Sequence, residues 1–95
     1  MEISSTDNQI TIAGNIKTVS DYQEIKTRID SVISQHKTIT INIKDSISIT
    51  SSVIGYFTKI VMKDKINLTM MVGNSQLLDL LDDLSLKSVF KAKQA

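Results

Sequence analysis

The hydroxyl triplet Thr50-Ser51-Ser52 stands directly before an apolar helical stripe, and in this 95-residue sequence it is the group whose type and placement suggest chemistry. A hydroxyl at a helix start ordinarily accepts a hydrogen bond from a first-turn N–H, which is worth ~1 kcal/mol. The same place suits a phosphate, because unpaired amides and the positive end of the helix dipole meet an anion there. The triplet is therefore a candidate for phosphorylation as well as for capping.

Other reactive side chains are spaced poorly for catalysis. His36 is the single histidine, and its predicted place at the end of a helix suits a cation without any further role. Asp79, Asp82 and Asp83 recur at three and four residues opposite a leucine stripe, the pattern of a solvated face. Glycines at 14, 55 and 73 are too scattered to cradle a phosphate. No cysteine is present, so thiol nucleophiles and thiolate metal sites are excluded together. Lys59, Lys63 and Lys65, and again Lys87, Lys91 and Lys93, cluster without interleaved aromatics, so nucleic acid is not an expected partner. Met62, Met70 and Met71 read as core filler. Neither an enzyme, a cofactor nor a metal is expected.

Length supports one modest core. Ninety-five residues make one domain, 1–95, and a net charge of +1 provides no general attraction to anionic surfaces. No basic segment followed by an apolar one opens the chain and no run of 18 apolar residues occurs, so the expected location is the cytoplasm, without membrane insertion.

The elements that must position the triplet follow from periodicity. Gln9–Ala13 alternates and meets a Gly14-Asn15 turn, and residues 2–6 offer a short strand before it, joined through Asp7-Asn8. Val19, Tyr22, Ile25, Ile29, Val32 and Ile33 predict a helix over 20–35, with Ser20 and Gln23 as its capping box. Thr38–Ile43 alternates strictly as a strand, and Ser46–Ile49 reads as a loop. Val53, Ile54, Phe57, Ile60 and Val61 define a second helix from near Ser52 to near Asp64. Ile66, Leu68, Met70 and Val72 form another strand, and Ser75 caps a third helix carrying Leu77, Leu78, Leu81 and Leu84. Leu86, Val89 and Phe90 close over the core before a lysine-bearing tail. Strand-helix-strand units favour right-handed parallel crossovers, so the expected class is α/β, a mixed four- to five-stranded sheet covered by helices.

The order of these pieces resembles the STAS family, the sulfate-transporter and anti-sigma-factor-antagonist domains. The resemblance is carried by Ile10-Thr11-Ile12-Ala13-Gly14-Asn15-Ile16, by 39–43, by Ile49-Thr50-Ser51-Ser52-Val53-Ile54-Gly55, and by 68–86 with Val72-Gly73-Asn74-Ser75. In the bacterial antagonists that it resembles, the loop reads Asp-Ser-Ser-Gly-Leu-Gly and its first serine is phosphorylated by an anti-sigma-factor kinase. The resemblance puts Ser51 in the acceptor place, Ser52 in the second serine's, Ile54 in the leucine's and Gly55 in the final glycine's. Thr50 replaces the aspartate, Val53 the first glycine, and Asn42 lies where an acidic strand residue is common, which implies a divergent partner.

The resemblance thus implies a transcription-regulating interaction module with phosphorylation at Ser51. Its partner surface is expected at Thr50, Ser51, Ser52, Gly55, Tyr56, Lys59 and Lys63. The partner is expected to be an anti-sigma factor or GHKL-type serine kinase, with a phosphatase as a further candidate. The alternative is a non-phosphorylated structural subunit of a lipid-transport or signalling complex, with Ser51 only capping its helix; the missing carboxylates favour that alternative.

Overall fold

A computed structural model describes all 95 residues. Chain order runs β1 (Glu2–Thr6), β2 (Gln9–Ala13), α1 (Val19–Ile33), β3 (Thr38–Ile43), α2 (Ser51–Met62), β4 (Asn67–Val72), α3 (Ser75–Asp83) and β5 (Ala92–Gln94). The strands form one mixed sheet in the order β1-β2-β3-β4-β5. Only β1 is antiparallel to its neighbour; the remaining pairs are parallel. The α/β class with five strands and three helices follows directly.

Alternation decides which face of the sheet is covered. Ile10 and Ile12 of β2 pair in register with Ile41 and Ile43 of β3, which pair with Met70 and Val72 of β4. All six are buried, whereas the intervening Thr11, Thr40, Asn42, Thr69 and Met71 are only half-buried. The strand order advances in one direction, so right-handed crossovers bring all three helices to the same face. Ile25 and Ile29 of α1, Val53, Phe57 and Ile60 of α2, and Leu77 and Leu81 of α3 complete one core of 21 buried residues. Phe57 and Phe90 meet edge to face at 5.9 Å between ring centroids.

Several boundaries differ from the periodic reading, each for a local polar reason. Helix α1 begins after Thr18, not at Ser20. Thr18 Oγ1 accepts from Asp21 N, while Asp21 Oδ2 accepts from the N–H groups of Lys17 and Thr18. These bonds to backbone amides hold the Asp21 carboxyl below the usual carboxylate range. The box is thus Thr18 with Asp21, and Val19 is 72% exposed in the first turn. Helix α3 is capped by Asn74 instead of Ser75, because Asn74 Oδ1 accepts from both Gln76 N and Leu77 N.

Leu84, expected on the buried leucine stripe, is 48% exposed. Helix α3 stops at Asp83, Ser85 adopts a left-handed backbone, and Leu86 N donates to Leu81 O, so Leu86 turns to the core in its place. The lysine-bearing tail is itself a strand: Ala92 pairs with Met70 and Gln94 with Val72.

Gly73 marks the tightest backbone approach at the carboxyl end of the parallel strands. A Cβ there would lie 2.0 Å from Lys44 O. Helical Gly55 is the opposite case, with nothing within 4 Å of an added Cβ. Gly73→Ala should therefore destabilise the fold by about 1–3 kcal/mol by overpacking. Gly55→Ala should stabilise it by about 0.5–1 kcal/mol by restricting the unfolded chain. Urea unfolding of the two variants measures both, and equal effects would contradict this account of the two sites.

Candidate functional site

The loops at the carboxyl ends of the parallel strands build the candidate site. Gly14, with φ +85, ends β2 in the left-handed region. Its N–H donates to Asp45 Oδ1 at 2.6 Å, and its carbonyl accepts from the hydroxyl of Ser46, the one fully buried polar side chain. Next along, Ile47 N donates to Asn15 Oδ1 at 2.9 Å. The loop after β3 is thus fastened to the loop after β2, and its fixed path delivers Thr50 to the start of α2.

Thr50 is the cap of α2. Its backbone is extended, at φ −87 and ψ 157, and its Oγ1 accepts from Val53 N at 3.3 Å. Ser51 and Ser52 are the first two helical residues, and both are exposed. Their N–H groups precede the first internal bond, Ile54 N to Thr50 O, and so have no acceptor in the chain. No acidic side chain lies in that turn. The result is a free serine hydroxyl beside free amides at the positive end of a 12-residue helix, with the capping function already met by its neighbour.

The remaining expected contact residues divide. Gly55 is exposed and continues the surface from Ser51 and Ser52 along α2. Lys59 is exposed, with its Nζ 3.2 Å from Asp64 Oδ2; Lys63 is exposed and has no salt-bridge partner. Tyr56, expected at the partner surface, is only 4% exposed and corrects that expectation. Its position, between the outward Gly55 and the core residue Phe57, turns it toward α1. There its hydroxyl donates to Asp30 Oδ1 at 2.6 Å, while Lys26 Nζ lies 2.8 Å from Asp30 Oδ2.

This polar contact ties α2 to α1. Burial, then the hydrogen bond to Asp30, pushes the Tyr56 phenol far above its ordinary value. For Asp30, partial burial opposes ionisation, but the bonds from Lys26 and Tyr56 prevail and hold the carboxyl below its usual range. Sequence reasoning missed the contact because it joins residues 26 positions apart. An aspartate close to the apolar stripe of α1 was its only local sign.

Outside the triplet, His36 is half-buried beyond the end of α1, and Asp79, Asp82 and Asp83 are exposed. No three His, Asp or Glu side chains converge as a metal-binding group. No helix is long and apolar enough to cross a membrane.

Thr50→Ala should cost ~1 kcal/mol through loss of the cap. Ser51→Ala should change stability by less than about 0.5 kcal/mol. Chemical denaturation distinguishes them, and the reverse order would mean that Ser51 is the cap. Tyr56→Phe should cost about 1 kcal/mol at neutral pH, a charged hydrogen bond discounted because the Asp30 side chain is 41% exposed. A depressed carboxyl stabilises the fold above its ordinary pKa of 3.8, and that stabilisation is lost as pH falls through the lower folded value. The difference between wild type and Tyr56→Phe should accordingly shrink below about pH 4; an undiminished difference there would exclude an ionised Asp30 as the acceptor.

Comparison with family models, with curated proteins and with solved structures finds no match for this chain.

Proposed function

We propose that this protein is a STAS-like regulatory interaction module whose docking surface is the start and outer side of α2, switched by phosphorylation at Ser51. The observation that carries this reading is the division of labour at the helix start. Thr50 holds the cap, so the exposed Ser51 hydroxyl is not needed for folding. A structural subunit in which Ser51 merely caps the helix is less consistent with that arrangement.

The partner on this reading is a GHKL-type serine kinase or an anti-sigma-like protein that covers Ser51, Ser52 and Gly55 and reaches Lys63. Phosphate at Ser51 adds about −1.5 to −2 charge beside free amides and the helix dipole. The domain therefore tolerates the modification, while a partner packed over the same spot must accommodate a charged group. Release comes from that asymmetry, without rearrangement of the core.

The test uses a GHKL-type kinase encoded in the same genome. Incubation with ATP should place a single phosphate on Ser51, located by mass spectrometry, and Ser51→Ala should abolish it. Ser51→Ala should retain kinase binding in pull-down and calorimetry, whereas Ser51→Asp should weaken it at least about tenfold, the scale of a desolvated like-charge or unpaired contact. Ser51→Asp should also raise the melting temperature of the isolated domain by about 1–8 °C, since an acidic first turn adds about 0.3–1 kcal/mol. Equal kinase affinity for all three proteins would remove the switch.

A further inference from the structure

The two edges of the sheet are protected unequally. β5 has three residues, is preceded by Lys91 and contains Lys93, and a short edge strand bearing lysines resists pairing with other chains. β1, at the other edge, has five residues, no lysine and no proline, and its only charge is Glu2 at one end. A two-residue turn joins β1 to β2, with Thr6 opposite Gln9. The antiparallel ladder then directs the N–H and C=O of alternate residues, Ile3 and Ser5, away from β2. Those main-chain groups form an unpaired template.

Beside this edge lies a groove of about 780 Å³ between Ile3 and one side of α1. The α1 residues that line it are Ser20, Gln23, Glu24, Thr27, Arg28 and Ser31. Their spacing is the same read in either direction: Ser20 mirrors Ser31, Gln23 mirrors Arg28 and Glu24 mirrors Thr27. Glu24 and Arg28 are exposed, and neither has a salt-bridge partner within the chain. In an antiparallel copy centred on the same midpoint, Arg28 of one chain is level with Gln23 of the other and one residue from the level of Glu24, so opposite charges approach each other on both sides of the twofold axis.

We infer that this edge is the contact of a symmetric dimer, and that its occupant is a second copy of this chain. Antiparallel pairing of β1 with its twin about a twofold axis at Ser4 sets Ile3 opposite Ser5 of the second copy and satisfies the four outward groups on each side. The twofold keeps both sets of helices on one face, so two α1 helices run antiparallel over the junction and cover both Ile3 side chains. The sheet becomes a continuous ten-stranded one by arithmetic, five strands from each copy. Closure is isologous, and the lysine-guarded β5 edges limit further growth into a filament. The outer side of α2 takes no part, so this dimer does not depend on the proposed role of Ser51.

Sedimentation equilibrium on the intact chain, up to about 1 mM, should show a monomer–dimer equilibrium that weakens with salt. Arg28→Glu places like charges across the twofold and should weaken association at least about tenfold. The double variant Glu24→Arg/Arg28→Glu exchanges the charges and should restore it to within about threefold. Ser5→Pro removes an outward N–H without breaking the bond to β2 and should also weaken the dimer; Ser5→Lys replaces it if circular dichroism shows that the proline variant has lost its fold. A wild-type protein that stays monomeric overturns the inference. So does a dimer left intact by Arg28→Glu or by the Ser5 variant, and so does a double variant no better associated than Arg28→Glu alone.

Discussion

The continuous apolar face made by every second residue of β2, β3 and β4 is the constraint on which the rest of the molecule depends. Ile10, Ile12, Ile39, Ile41, Ile43, Leu68, Met70 and Val72 are buried there, and three helices cover them from one side. A shift of one residue in any strand would turn its large side chains to the solvated face and bring threonine or asparagine beneath the helices. Register is therefore strongly specified. The strand ends, and with them the loops that carry polar chemistry, are held in place by the same burial.

From that base, the path to Ser51 is secured by hydrogen bonds. Asp45, Ser46 and Ile47 in the loop after β3 bond to Gly14 and Asn15 in the loop after β2. Gly73 lets the chain leaving β4 pass close against Lys44. These contacts hold the approach to α2 so that Thr50 meets Val53 N and the serines beyond it face outward. At the other side of α2, Tyr56 and Asp30 lock the helix to α1. The outer side of α2 is therefore a rigid surface, and on the proposed reading a phosphate at Ser51 would change its charge with little call on the backbone.

An open sheet also leaves polar backbone unpaired along its two edge strands, and the two edges meet this differently. β5 ends it with three residues and flanking lysine charge, while β1 presents a longer edge beside a groove with unpaired opposite charges. The asymmetry arises from chain order alone: β1 enters through a hairpin and β5 leaves after the last helix. Association through β1 would extend the sheet without disturbing the helical face on which the α2 surface lies.

The alternation of Thr38–Ile43 and of Asn67–Val72, and the apolar stripes of the first two helices, were legible in the sequence because burial of one face imposes a period that survives in one dimension. The hydroxyl triplet before α2 was legible for the same reason, since it adjoins the start of a stripe. Which residue caps each helix was not legible: Thr50 rather than Ser51, Thr18 rather than Ser20 and Asn74 rather than Ser75 depend on where the chain leaves the preceding strand. Tyr56 could not be assigned inward without Asp30 beside it. β5, too short for a period of its own, exists because β4 has an unpaired edge where Phe90 anchors the chain. Sequence by itself determined periodic burial and hence the α/β class; tertiary structure decided caps, edges and long-range polar pairs, because those depend on directions in space that no local pattern encodes.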